Sequence, residues 1–149
     1  MRTLLIVTSD DCVACQATLA NWKELIASLP VGRLDEVIIA SQRGTRIAAE
    51  LASLAKARGF RGRALAVVQQ AAFALATGLT LTPTTVILDR DARLRYLAHA
   101  LPPPVREDLV DEWQSLERAS PVLTGSRPAE GGRPAPAFIA IFTAPIRVN

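Results

Sequence analysis

Two cysteines occur in the chain, Cys12 and Cys15, and they stand three residues apart. Two cysteines placed at random in this length fall at that separation in roughly one chain in 75, so the spacing is informative. At the head of a helix, positions i and i+3 share a face and come within reach of a disulfide. Cys12 is expected in the first turn, where free backbone N–H groups and the helix dipole favour a thiolate. Cys15, one turn further in, is expected to be more enclosed and to keep a higher pKa. That asymmetry suits a two-step exchange: Cys12 attacks a disulfide, and Cys15 resolves the mixed disulfide. A zinc site needs four ligands, and the cysteines and His99 supply three, so no metal is expected. Haem attachment needs His after the second cysteine, where Gln16 stands. A pair of buried, inert thiols is the remaining structural reading.

A dithiol needs a strand to deliver it and a helix to hold it. Thr3–Thr8 is a β-rich apolar run bounded by Ser9-Asp10-Asp11, read as a buried strand. Leu19, Trp22, Leu25, Ile26 and Leu29 then recur at helical spacing until Pro30 and Gly32. Glu36–Ala40 predicts a second strand, and Arg46–Arg58 a helix stopped by Gly59. A weaker strand over Ala64–Val68 and an Ala-rich helix over Gln69–Thr77 follow. Thr84–Leu88 and Arg93–His99 flank the turn Asp89–Ala92 as a hairpin. Pro102-Pro-Pro104 breaks the chain before a last helix, whose apolar face is Val105, Leu109, Val110, Trp113 and Leu116. The order βαβαβαββα implies an α/β domain over residues 1–119. Its largely parallel sheet is covered by helices on both faces and ends in an antiparallel hairpin.

Composition sets the outer bounds. A chain of 149 residues is one domain of ordinary size, long enough to bury about 68–70% of its unfolded surface without a metal or disulfide. Half the residues are hydrophobic and 21% charged, which excludes wholesale disorder. No run approaches the ~20 apolar residues of a membrane helix, and no secretory leader pattern follows Met1. The net charge of +3 is a thin excess of 17 basic over 14 acidic residues, without an aromatic-interleaved basic stripe, so no nucleic-acid partner is expected. Arg58, Arg61 and Arg63 around Gly59 and Gly62 fit a solvated turn better than a phosphate loop. Residues 120–149 hold 5 of the 10 prolines and are expected to be a disordered or extended tail, carrying one apolar stretch, Phe138–Phe142.

A second element lies far from the cysteines in sequence. In Leu81-Thr82-Pro83-Thr84-Thr85 a proline stands at the mouth of a buried strand, where a cis bond at a tight turn would explain it. With the Cys12-Val-Ala-Cys15 motif and the βαβαβαββα order, the sequence resembles the thioredoxin-like superfamily, in particular its TlpA/redoxin branch of thiol–disulfide oxidoreductases. Gly78 to Asp91 is similar to that branch's stretch around its proline, with Ala92 at the usual glycine position. The resemblance covers about residues 3–118. It implies a mixed central sheet flanked by helices, a cis Pro83 facing Cys12 and Cys15, and a Thr82 backbone that pairs with an extended substrate. Asp10 and Asp11 stand before the first cysteine where the family often has Trp, and charges so close oppose the thiolate. The family's buried strand carboxylate is replaced by Leu4–Val7, and Thr18 stands where a Glu is common. The nearest candidates for proton transfer are Asp10, Asp11 and Glu24.

The leading expectation is a monomeric thiol–disulfide oxidoreductase without a bound cofactor. It would act on protein disulfides and draw electrons from an upstream thiol reductase. A non-catalytic binding or assembly module on the same fold is the alternative, and a peroxidase-like redoxin a third. As written the chain reads as cytoplasmic; a start further upstream would make it periplasmic or membrane-anchored. Trp22 and Trp113 are expected in the core and His99 exposed.

Overall fold

The computed structural model describes residues 2–67, 70–79 and 81–118. The elements are β1 (Thr3–Thr8), α1 (Val13–Ser28), β2 (Glu36–Ser41), α2 (Arg46–Arg58), β3 (Arg61–Ala66), α3 (Gln70–Thr77), β4 (Thr84–Leu88), β5 (Leu94–Ala98) and α4 (Pro103–Arg118). The five strands form one sheet in the order β3-β2-β1-β4-β5. β1 and β2 pair in parallel, as do β2 and β3, whereas β4 is antiparallel to both β1 and β5. The sheet is therefore mixed, with two parallel and two antiparallel pairings, rather than largely parallel. β1 lies at its centre and every residue of it is buried, which explains the unbroken apolar run Leu4–Val7.

Side chains alternate between the two faces. Leu4, Ile6, Val37, Ile39 and Ile87 share a core with α1, α2 and α4, into which Trp22 and Trp113 are fully buried. Leu5, Val7, Ile38, Val86 and Leu88 face the other way, against Phe73 and Leu79 in and after α3. At the end of the sheet away from the cysteines, Arg2 is buried, ion-paired with Asp35, donates to the Trp113 carbonyl at 2.8 Å and lies 4.6 Å over the Trp113 ring.

Several boundaries differ from the sequence reading, β2 among them, which runs one residue further, to Ser41. β3 runs over Arg61–Ala66 instead of beginning at Ala64, because its backbone pairs in register with β2 from Glu36 onward. An edge strand accepts Arg61 and Arg63 on its exposed side. Gly62 is required there, since a Cβ would run into the Ala52 carbonyl of α2. α4 begins at Pro103, with the Pro102 carbonyl accepting the first helical bond from Arg106 N at 3.0 Å. Prolines in the first turn forfeit only N–H groups without intrahelical partners. β5 is one residue shorter at each end than expected. Val68, Gln69 and the tail with Phe138–Phe142 lie outside the described residues.

Candidate active site

β1 ends at Thr8, and a short turn, with Cys12 N donating to Ser9 O at 3.2 Å, brings the chain into α1. Cys12 is the N-cap of that helix rather than a first-turn residue: its backbone is extended (φ −89°, ψ 112°) and its carbonyl accepts from Gln16 N at 3.1 Å. Serine or aspartate usually fills this role through a side-chain oxygen. Here the Cys12 Sγ takes it, accepting from the Cys15 N–H at 3.1 Å. The two cysteines form a disulfide with Cα atoms 5.1 Å apart. Cys12 is half-buried, Cys15 wholly buried, and Val13 between them is exposed. The enclosure expected of Cys15 and the accessibility expected of Cys12 are both present.

The Thr82–Pro83 peptide is cis. It sits across the sheet from the cysteines because β4 runs antiparallel to β1, pairing Val7 with Thr84. The Thr82 carbonyl oxygen lies 3.8 Å from Cys12 Sγ. Residues 70 positions apart in the chain thus share one rim, with Thr82 and Pro83 half-buried and Leu81 exposed beside them.

The carboxylates near the motif are committed elsewhere. Asp10 caps α2 from a distance: its Oδ2 accepts from Arg46 N at 2.8 Å and its Oδ1 from Ile47 N at 3.0 Å. Thr45, the residue at the N-cap position itself, makes no side-chain capping bond. Gly44 adopts φ +68° beneath Asp10, where a Cβ would collide with the carboxylate. Asp11 accepts from the Ser9 hydroxyl at 2.5 Å and faces Arg43 at 3.4 Å. The Ser9 hydrogen bond chiefly, and then the Arg43 charge, hold its carboxyl below the usual aspartate value. Glu24 pairs with Arg106 of α4 at 2.7 Å.

On the Cys15 side of the sheet, the Thr8 hydroxyl is fully buried without a hydrogen-bond partner among the described residues. Trp22 Nε1 donates to the Thr85 hydroxyl at 2.9 Å, which anchors α1 to the strand that follows Pro83. Arg58 and Arg63 are directed at Leu29 O and Glu36, so the arginine cluster does not converge as a phosphate cradle would. Among the described residues no group of three or more His, Cys, Asp or Glu converges as a metal site requires, and no helix is long and apolar enough to cross a membrane.

Sequence reasoning missed Asp10's capping role and a hydrogen bond between His99 Nδ1 and the Thr84 hydroxyl, 3.1 Å long. Both are long-range, and no local pattern signals either.

No protein-family model and no curated protein matches the sequence. Solved structures do. A secreted Mycobacterium tuberculosis disulfide oxidoreductase homologous to E. coli DsbE superposes with a TM-score of 0.52 at 14% identity, over 76% of this chain and 81% of that one. A secreted thiol-disulfide isomerase from Corynebacterium glutamicum gives a TM-score of 0.52 at 16% identity, over 78% of this chain and 70% of that one. A thioredoxin-like protein from Porphyromonas gingivalis gives a TM-score of 0.53 at 18% identity, over 78% of this chain and 76% of that one. Likeness at such identities is one of architecture, and by it the chain has the thioredoxin-like fold.

Proposed function

We propose that the protein is a thiol–disulfide oxidoreductase acting on protein disulfides, with Cys12 and Cys15 as its catalytic dithiol and Thr82 and Pro83 as its substrate-binding rim. The observation that carries this reading is the half-buried Cys12 sulfur, capping a helix, bonded to the buried Cys15 and set against the Thr82 carbonyl. In the reduced protein the Cys15 N–H and the open end of α1 favour negative charge on Cys12 Sγ. That thiolate attacks one sulfur of the substrate disulfide; the S–S bond breaks and the other sulfur leaves as a thiolate, which takes a proton. Cys15, deprotonated in turn, attacks Cys12 Sγ, forms the Cys12–Cys15 disulfide and expels the second substrate sulfur. Two electrons pass to the substrate, and an upstream thiol reductase restores the dithiol. The Thr82 backbone holds the substrate as an added extended strand.

Both cysteines titrated together across defined glutathione ratios test the reading. Cys12 and Cys15 are expected to pair reversibly at a single potential. Cys12→Ser is expected to lower protein-disulfide reduction at least ~10³-fold, and Cys15→Ser to accumulate the mixed disulfide. If the cysteines stay unpaired at every ratio, the proposal fails. The competing reading, a binding or assembly module, predicts that Cys12→Ser leaves the biological role intact. It is favoured by the commitment of Asp10, Asp11 and Glu24 to other partners, which leaves none of these candidates free to serve Cys15, and by the Pro-rich composition of residues 120–149. Two of the similar structures are of secreted proteins. An oxidising compartment suits exchange and a reducing one suits net reduction, so the measured potential also bears on location.

A further inference from the structure

His99 stands just past β5, exposed, with its Nδ1 3.1 Å from the Thr84 hydroxyl oxygen. Thr84 is fully buried, and its hydroxyl donates to the Leu81 carbonyl at 2.6 Å. A hydroxyl has one proton to give. Because Leu81 O takes it, the Thr84 oxygen meets His99 as an acceptor, and the His99 proton must sit on Nδ1. The three residues form a directed relay, His99 Nδ1–H to Thr84 Oγ1–H to Leu81 O. Leu81 and Thr84 flank the cis Thr82–Pro83 peptide, whose carbonyl lies beside Cys12 Sγ. The relay therefore ties together the two ends of the loop that presents Thr82 to the reactive sulfur.

We infer that His99 is a positioning residue for substrate binding. Acting through Thr84, it holds the Leu81–Thr84 loop in the shape in which the Thr82 backbone pairs with an extended peptide around a disulfide. The inference rests on the function proposed above. A pre-formed rim saves the substrate the ordering cost that a loose one would exact, so the effect belongs to binding and not to sulfur chemistry.

Steady-state kinetics with an extended peptide containing one disulfide test it, on the full chain. His99→Ala is expected to raise KM about fivefold, the size of one net hydrogen bond, with kcat within about twofold of the wild type. His99→Asn, whose amide can donate to Thr84, is expected to recover most of the loss. Thr84→Val is expected to raise KM similarly, and the double variant His99→Ala/Thr84→Val to be no worse than Thr84→Val, because one relay is broken only once. The ring-nitrogen NMR signals of the neutral imidazole should show the proton on Nδ1 in the wild type and not in Thr84→Val. An unchanged KM in His99→Ala, additive single effects, or a proton on Nε2 would each overturn the inference while wild-type turnover leaves the proposed function standing. Absence of wild-type turnover would sink the function and this inference together.

Discussion

The two faces of the sheet are built to different standards. One is covered by three helices and holds both tryptophans fully buried; the other is covered, among the described residues, by the eight-residue α3. Leu75 of α3 is 90% exposed, and Leu94 and Leu97 of β5 are 52% and 39% exposed. Cys15 lies in the thick core, with Cys12 packed at its margin. A redox dithiol of the kind proposed must keep two sulfurs in register through repeated bond making and breaking, and that demands close packing behind it. Positioning of the candidate site therefore belongs to the helical face, while the α3 face, among the described residues, is thin.

Substitutions can break this contrast. Trp22→Ala is expected to destabilise by about 4–5 kcal/mol, since it empties a tightly walled space and strands the Thr85 hydroxyl. Phe73→Ala, on the thin face, is expected to cost only about 2 kcal/mol, because α3 can settle into the gap. Denaturant unfolding of both variants measures the difference, and equal losses would contradict the asymmetry. Asp35→Ala is expected to cost about 3 kcal/mol by leaving the buried Arg2 guanidinium with only the more distant, exposed carboxylate of Glu117 at 3.7 Å. That loss should leave the redox potential of the cysteines unmoved, since it lies at the opposite end of the same face.

Smaller effects sharpen the comparison. Thr8→Val keeps the shape of a buried side chain whose hydroxyl has no partner among the described residues, and is expected to gain about 1 kcal/mol. A loss instead would mean that the hydroxyl is engaged. At the exposed rim, Ser9→Ala should move the Asp11 titration up toward the ordinary aspartate range, as followed by carboxyl NMR. The sign follows from a folded value below the unfolded one. The contribution of Asp11 is present above the unfolded range near about pH 4 and is lost as pH falls through the lower folded value. Because Asp11 is exposed, stability at neutral pH should scarcely change.

Much of this was legible in the sequence because it is periodic or local. The strand at Leu4–Val7 shows as an unbroken apolar run, α1 through Trp22 and Leu25, and the dithiol through a spacing of three. Pro83 could be placed at the rim only through the resemblance, since a proline at a strand mouth by itself fits an ordinary strand start as well. The start of β3 was not legible, since Arg61-Gly62-Arg63 gains strand geometry only from pairing with β2 and from the close approach of Ala52. Asp10 read as a charge beside Cys12, but its partners are amides 36 and 37 residues away. Likewise the role of His99 depends on an antiparallel register that brings the end of β5 to the start of β4.

The capping of α2 by Asp10 has a consequence for how the molecule opens. A helix that borrows its cap from another segment cannot keep its first turn when that segment departs. The approach to the cysteines is also held to the same loop by Asp10 N donating to Arg43 O at 2.8 Å and Gln42 N to Thr8 O at 2.9 Å. Ser9–Asp11 and the start of α2 should therefore open and close as one cooperative unit. Solvent exchange of the Arg46 and Ile47 amides would then rise and fall with that of Cys12, although the chain separates them by more than thirty residues.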